Sequence, residues 1–280
     1  MTVELKSVLS GFSEAVRPFV RNVVDFFESS QEEQKSRIEY LSSIKPSSRL
    51  AAVLVLLFEK DNHLRVLVTV RGKNLRTHGG QTSLPGGKME ETDGGDILTT
   101  AHREAHEEVG LPLNHPAVPT LGILELQPFY TLVVAPVVAI LTDLTMIDGL
   151  KARSGEVDLI YSHPLEGLLD PSVALQLEDL VPRGSDNWPY ELEPHNHQDY
   201  MVEALDNMKY RLHRFQTSAA PITGLTADVL INIAQIAYRK EPTYERFADG
   251  QLRSFDGLVK AFEKLRSESK EAKPVVWRAT

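Results

Sequence analysis

Three glutamates within one helical turn are the residues best placed to do chemistry. They lie in Arg103-Glu104-Ala105-His106-Glu107-Glu108-Val109-Gly110-Leu111, a short distance after Gly86-Gly87-Lys88. Residues four apart share a helix face, so Glu104 and Glu108 project from one side, with Glu107 adjacent. Thr100, Ala101, Ala105 and Val109 supply a small opposite face for packing on a sheet. Three carboxylates so close repel one another, and a hard divalent cation with oxygen ligands, Mg2+ or Mn2+, resolves the conflict. Mg2+ also takes phosphate oxygens as ligands. Gly86 and Gly87 let the backbone pass close to such a metal and its phosphate, and Lys88 is a further candidate for phosphate binding. Taken alone, the acidic run reads more readily as a solvated helix face. The joint spacing with the glycines favours a site.

That joint pattern, Gly87, a short loop, then Arg-Glu-x-x-Glu-Glu-x-Gly-Leu, resembles the Nudix box of the Nudix hydrolases. The resemblance implies a Nudix-type α/β/α sandwich with a mixed sheet. It also implies hydrolysis of a nucleoside diphosphate linked to a further group, with Glu104, Glu107 and Glu108 as metal-holding and catalytic residues. The pattern departs from the common box in two respects. Asp93 stands where an acidic residue, more often Glu, is usual, and nine residues rather than seven separate it from Arg103. The excess falls around Gly94-Gly95, ahead of the helix.

A second motif lies upstream. Arg71, Arg76, Gly80 and Pro85-Gly86-Gly87 fall in the register of the extra signature of coenzyme A diphosphatases, with Gly72 and Leu84 replacing the commoner residues. Ile222-Thr223-Gly224-Leu225-Thr226-Ala227 is similar to the stretch opening that group's last helix. The resemblance implies cleavage of coenzyme A or acyl-coenzyme A to 3′,5′-ADP and 4′-phosphopantetheine or its acyl form. The residues agree: two arginines five apart beside a metal helix can fork onto phosphate oxygens. Their alternative is pairing with Glu90, Glu91 or Asp93. Glu156 is a candidate base or distant ligand, His78 a candidate phosphate contact, and Arg103 an orienting partner for a carboxylate. Trp188, Tyr190, His195 and His197 are either a lid over adenine or pantetheine or the means of ordering their own loop. Other Nudix substrates (ADP-ribose, a dinucleotide, an oxidised nucleotide) stay open as alternatives, as does a non-catalytic Nudix-fold binding module.

The elements that must position these residues follow from periodicity. Residues 1–47 read as a helical extension, with Ser30-Gln31-Glu32-Glu33 as a capping box. Ala51–Phe58 is a continuous apolar run, and Leu64, Val66, Val68 and Val70 alternate, which predicts a hairpin turning at Asp61-Asn62-His63. Gly72 to Gly95 holds seven glycines and no period, which marks a functional loop. A helix is predicted over Ile97–Gly110. Strands follow over Leu121–Leu126, Leu132–Leu141 (with Pro136 marking an edge or bulge) and Val157–Ser162. Residues 170–206 read as an irregular insertion, with a last strand at Met208–Leu212. Helices are predicted over Leu225–Tyr238 and Leu252–Leu265. The domain therefore spans about 48–240, and 241–280 is a helical extension. Strands interleaved with helices make it an α/β protein.

Composition sets the outer bounds. The 280 residues carry 30 Lys+Arg and 39 Asp+Glu, a net charge of −9, which argues against a nucleic-acid partner. There is no cysteine, so disulfides, thiolate metal sites and a cysteine nucleophile are excluded. The longest apolar runs fall well short of the roughly 18 residues of a membrane span. A small-molecule partner is implied by the family resemblance. The family resemblance implies a peroxisomal location, while the last residues, Trp277-Arg278-Ala279-Thr280, are not a Ser-Lys-Leu-type address, so a cytoplasmic location is the alternative.

Overall fold

The apolar run that opens at Leu50 forms one long strand whose side chains alternate between two cores. In the computed structural model, which describes residues 5–129, 131–177, 179–205, 207–268 and 277–279, three helices precede it. These are α1 (Leu5–Ser10), α2 (Arg17–Ser29) and α3 (Gln31–Ser43). Strands β1 (Leu50–Lys60) and β2 (His63–Arg71) then form the predicted hairpin. Asp61 and Asn62 turn it with φ of 54° and 61°, the paired left-handed conformation of a tight hairpin turn. The β1–β2 pairing ends at Leu57 and Val66. Beyond it, β3 (Thr82–Ser83) pairs with β2 and β4 (Gly86–Lys88) with β1. The glycine motif thus sits in a split in the sheet.

Helix α4 (Ile97–Val109) follows, then β5 (Thr120–Ile123), β6 (Gln127–Phe129), β7 (Leu132–Ile140) and β8 (Val157–Pro164). Strand β7 runs parallel to β1 and antiparallel to β5 and β6, while β8 pairs along β2, giving a mixed eight-stranded sheet. The next elements are α5 (Pro171–Leu177), β9 (His195–Val202), β10 (Met208–Phe215), β11 (Ile222–Thr223) and α6 (Gly224–Tyr238). The last are α7 (Phe255–Glu268) and β12 (Trp277–Ala279). Strands β9 to β12 form a second, four-stranded sheet.

The two-residue period of β1 explains the layering. Leu54, Leu56 and Phe58 pack with Ala101, Ala105 and Val109 of α4. Val55 and Leu57 face the other way, against Val20, Val23 and Phe27 of α2 and Leu230 and Ala234 of α6. The sheet therefore lies between helices, as expected, and α2 contributes to its core.

Several local expectations need correction. Ser30 does not cap α3 through its hydroxyl. It closes α2 and opens α3 at once, with φ −104° and ψ 30°, not the extended backbone that a side-chain cap needs. Pro136 lies in a central strand, not at an edge. Its missing N–H falls where the partner of β7 changes from β5 to β6, after Leu124 N–H has bonded the Pro136 carbonyl. The strand expected over Leu121–Leu126 stops at Ile123 as part of β5; residues 124–126 lie in no strand, and β6 starts only at Gln127. The segment 170–206 is not wholly irregular, because it contains α5 and β9. Helix α7 starts at Phe255 rather than Leu252, since the Ser254 hydroxyl accepts the Gly257 N–H and caps it there.

Candidate active site

Helix α4 carries the acidic face, and its ends are fixed locally. Asp96 accepts the Leu98 N–H at its start, and Gly110, at φ 73°, closes it in the left-handed conformation that glycine adopts freely. Ala101, Ala105 and Val109 are fully buried against the sheet. Glu104 and Glu108 therefore point toward the split that holds β4. The Gly86 N–H donates to Glu108 Oε2 at 3.1 Å. A Cβ on Gly87 would lie 2.5–2.7 Å from the Glu104 carboxylate, so a side chain there would push that carboxylate from its place. The Lys88 carbonyl accepts from Arg103 Nη2 at 3.0 Å, and its side chain is exposed.

The three glutamates differ in environment. The side chains of Glu104 and Glu108 are 15% and 9% exposed, that of Glu107 38%. Burial pushes the Glu108 carboxyl up to about 7, against the Gly86 N–H and Arg71, and the charges of Glu104 and Glu156 push the same way. Burial likewise raises Glu104, opposed by Arg103 and assisted by Glu107 and Glu90.

Arginines stand among these carboxylates. Arg103 bonds Asp93 through Nε and Nη2 at 2.7 and 3.1 Å, and reaches Glu104 at 3.0 Å and Glu107 at 3.3 Å. Asp93 also accepts from the Thr100 hydroxyl and the Glu90 N–H. Burial opposes ionisation of Asp93, but these hydrogen bonds outweigh it and hold the carboxyl below its usual range. Asp93 is thus the anchor of Arg103, and the lengthened spacing around Gly94-Gly95 leaves that pair intact. Arg71 Nη1 lies 4.0 Å from Glu108, while its Nε is buried without an acceptor. Arg153 Nη1 lies between Glu107 at 3.7 Å and Glu156 at 3.4 Å.

The loop after Arg71 is held by its backbone. Gly80 N–H bonds the Arg71 carbonyl, Arg71 N–H bonds Gln81, and Gly72 N–H bonds Glu156. Lys73 N–H bonds the Asp158 carboxylate at 3.0 Å. Arg76 is exposed on this loop and, among the described residues, makes no ion pair, so neither arginine takes the expected alternative of pairing with Glu90, Glu91 or Asp93. His78 bonds Gln81 and lies 5.5 Å from the Phe129 ring.

Of the aromatic and histidine residues of the 170–206 segment, Trp188 and Tyr190 pack within their own loop, while His195 ties the segment to β10 and to Tyr244. Trp188 is fully buried, donates to the Glu193 carbonyl at 3.0 Å and packs edge-on against Tyr190. His195 is buried, bonded to His213 and stacked on Tyr244. Two features escaped sequence reasoning. One is Arg153, whose only signal was an Arg-x-x-Glu spacing to Glu156. The other is a hydroxyl cluster in which Thr82, Tyr161 and Thr217 all donate to the Ala220 carbonyl, tying the segment before β11 to β3.

Among the described residues, no three acidic or histidine side chains converge as a ready metal cage. The donor set nonetheless fits a hard divalent cation. All donors are carboxylate oxygens, the backbone at Gly86-Gly87 leaves room that a Cβ would fill, and Glu108 is desolvated without a full counter-charge. Asp93, Glu104, Glu107, Glu108 and Glu156 also outnumber Arg71, Arg103 and Arg153 by two charges.

Known proteins resemble this chain in sequence. A NUDIX domain model matches residues 48–171. Over 225 residues the chain is 35% identical to the mitochondrial Nudix hydrolase 15 of Arabidopsis thaliana, covering 75% of this chain and 68% of that protein. It is 28% identical over 196 residues to a peroxisomal coenzyme A diphosphatase of Caenorhabditis elegans, covering 69% of this chain and 71% of that one. Over 75 residues it is 47% identical to peroxisomal coenzyme A diphosphatase 1 of Saccharomyces cerevisiae, covering 25% and 21%.

Proposed function

This chain belongs to the Nudix hydrolase family, and from that premise we propose that it cleaves the diphosphate of coenzyme A or acyl-coenzyme A to 3′,5′-ADP and (acyl-)4′-phosphopantetheine. Nudix hydrolases use divalent metal ions such as Mg2+ or Mn2+. Here Glu104, Glu107 and Glu108 are the residues to hold them. When bound, the metal supplies positive charge against the diphosphate and acidifies a coordinated water.

The chain's own groups do the rest. Gly86 and Gly87 bring backbone against the acidic helix face, and Arg103, locked by Asp93, orients Glu104. Glu108, held near pH 7 by burial, or Glu156 beside it, accepts the proton of the attacking water. Arg71 and Arg76 stabilise charge building on the phosphoryl oxygens.

The observation that carries the substrate reading is the Arg71–Gly80 loop. Its backbone is fixed on Glu156, Asp158 and Gln81, while Arg71 keeps an unpaired Nε–H and Arg76 has no protein partner among the described residues. Two guanidiniums on a loop of fixed backbone suit a substrate with more phosphate than a plain diphosphate. The relatives named as coenzyme A diphosphatases support the same reading.

A substrate panel tests it. With Mg2+ or Mn2+, kcat/KM should fall from coenzyme A to dephospho-coenzyme A by roughly ten- to a hundredfold, the worth of one charge-assisted contact to the 3′-phosphate. ADP-ribose should be poorer still. No turnover of coenzyme A beside brisk turnover of ADP-ribose or an oxidised nucleotide overturns the proposal. Peroxisomal residence is the matching proposal for location, and fluorescent fusions with each terminus free in turn test it.

A further inference from the structure

Of the three arginines among the site's carboxylates, one is held loosely. Arg103 is 15% exposed and makes short bonds to Asp93, Glu104 and the Lys88 carbonyl. Arg71 is half-buried beside Glu108. Arg153 is 49% exposed, and its contacts with Glu107 and Glu156, at 3.7 and 3.4 Å, are both longer than the bonds of Arg103 to Asp93. Its backbone, by contrast, is firmly placed. Arg153 N–H bonds the Glu108 carbonyl at 2.9 Å, and its carbonyl accepts from Glu156 and Val157. The guanidinium is thereby fastened at its root to the end of the acidic helix and free at its tip.

We infer that Arg153 is a displaceable counter-ion, whose guanidinium balances Glu107 and Glu156 until a divalent cation takes over those carboxylates. The inference rests on the reading of the α4 glutamates as metal-holding residues. The electrostatic argument is direct. Glu107 already shares Arg103, and Glu107 and Glu156 both lie within 4 Å of the one Arg153 guanidinium, so these carboxylates repel unless a cation stands among them. A guanidinium is a weakly hydrated monovalent cation that can fill this place and leave it without unfolding anything. Its presence must then weaken metal binding, because cation and guanidinium compete for the same oxygens.

The test uses the full chain stripped of metal and titrated with Mn2+ alone, with free Mn2+ followed by electron paramagnetic resonance. Arg153→Gln should bind Mn2+ about five- to tenfold more tightly than the parent, as expected for removing one half-screened positive charge a few ångströms away. Arg153→Lys keeps the charge and should stay within about twofold of the parent. A merely structural role for Arg153 predicts weaker Mn2+ binding in both variants, and that result, or unchanged affinity in Arg153→Gln, overturns the inference. The loop's backbone bonds survive both substitutions, and thermal unfolding of each variant checks that they do. A parent that binds Mn2+ and shows the Arg153 effect, yet leaves coenzyme A intact, supports this inference while removing the substrate reading.

Discussion

Glu108→Gln should stabilise the metal-free protein and disable the enzyme, and the size of both effects follows from one carboxyl. In the folded chain its value is about 7, against an ordinary 4.5, chiefly because burial disfavours the charged form. Between those values the native state binds a proton that the unfolded state has lost, so stability falls as pH rises through that window. A shift of about 2.5 units amounts to roughly 3 kcal/mol by pH 8. Glutamine is neutral throughout, and its carbonyl can still accept the Gly86 N–H. Urea unfolding in EDTA should therefore find the variant near the parent at pH 5 and about 3 kcal/mol more stable at pH 8. Taking the difference between variant and parent cancels the other titrating groups, such as buried Asp228 and His213. With Mn2+ present, the parent should gain the larger stabilisation, since its carboxylate offers the ligand. Turnover of the variant should drop at least ~100-fold. A variant less stable than the parent at pH 8 in EDTA, or a gap independent of pH, would refute a desolvated Glu108. Retention of more than about half the activity would refute its role in the site.

Four further outcomes follow from the same geometry. Asp93→Asn should cost about 3 kcal/mol at pH 7 in urea unfolding, because it removes the buried partner of Arg103. The stabilising share of Asp93 is present above about pH 4 and lost as pH falls through its lowered native value, so the variant's deficit should shrink in acid. Gly87→Ala should lower kcat/KM about tenfold or more with a stability loss under about 1 kcal/mol, since its Cβ displaces only the flexible end of Glu104. Gly86→Ala should cost about 2–3 kcal/mol, since its Cβ meets the Ala52 carbonyl and Val53 backbone. Arg71→Lys should be nearly as damaging to kcat/KM as Arg71→Ala, because an ammonium cannot reproduce a two-pronged contact. Parent-like activity in the lysine variant would show that only local charge counts.

What the sequence revealed of this site was whatever depends on neighbours along the chain. Glu104 and Glu108 share a face because helical spacing puts them there, and the alternation of β1 assigns Leu56 and Leu57 to opposite cores. Strand β9 was hidden, because His195-Asn196-His197-Gln198-Asp199 has no apolar period. Its pairing with β10 makes it a strand, through backbone bonds that composition does not register. Arg153 was hidden for a different reason. Its meaning comes from Glu107, 46 positions earlier, through a loop whose docking on the Glu108 carbonyl no local pattern announces. Asp93 lay between these cases. Its place after Gly87 fitted the motif, while its Asp side chain and its distance from Arg103 did not; the sequence put the excess at Gly94-Gly95, and the bonds to Arg103 supply the role it left open.

The division of labour between backbone and side chains explains why a metal helix and a substrate loop can be tuned separately. Along the Arg71–Gly80 loop most bonds that set the shape use the loop's own main-chain groups, with the His78–Gln81 side-chain bond beside them. Arg71 and Gly80 bond each other, Gly72 bonds Glu156, and Lys73 N–H bonds Asp158. None of these uses the side chain of Arg71, Lys73 or Arg76, so those side chains are free to be chosen by a ligand rather than by folding. On α4 the reverse holds. Ala101, Ala105 and Val109 are fixed by the core, Gly86 by the Ala52 carbonyl and Val53, Gly87 by the Glu104 carboxylate, and Arg103 by Asp93. A change in the loop should therefore redirect substrate choice at little cost in stability. A change on the helix face or its glycines should strike turnover, with a stability effect set by the contact removed: a gain for Glu108→Gln in the metal-free protein, a loss for Gly86→Ala and Asp93→Asn.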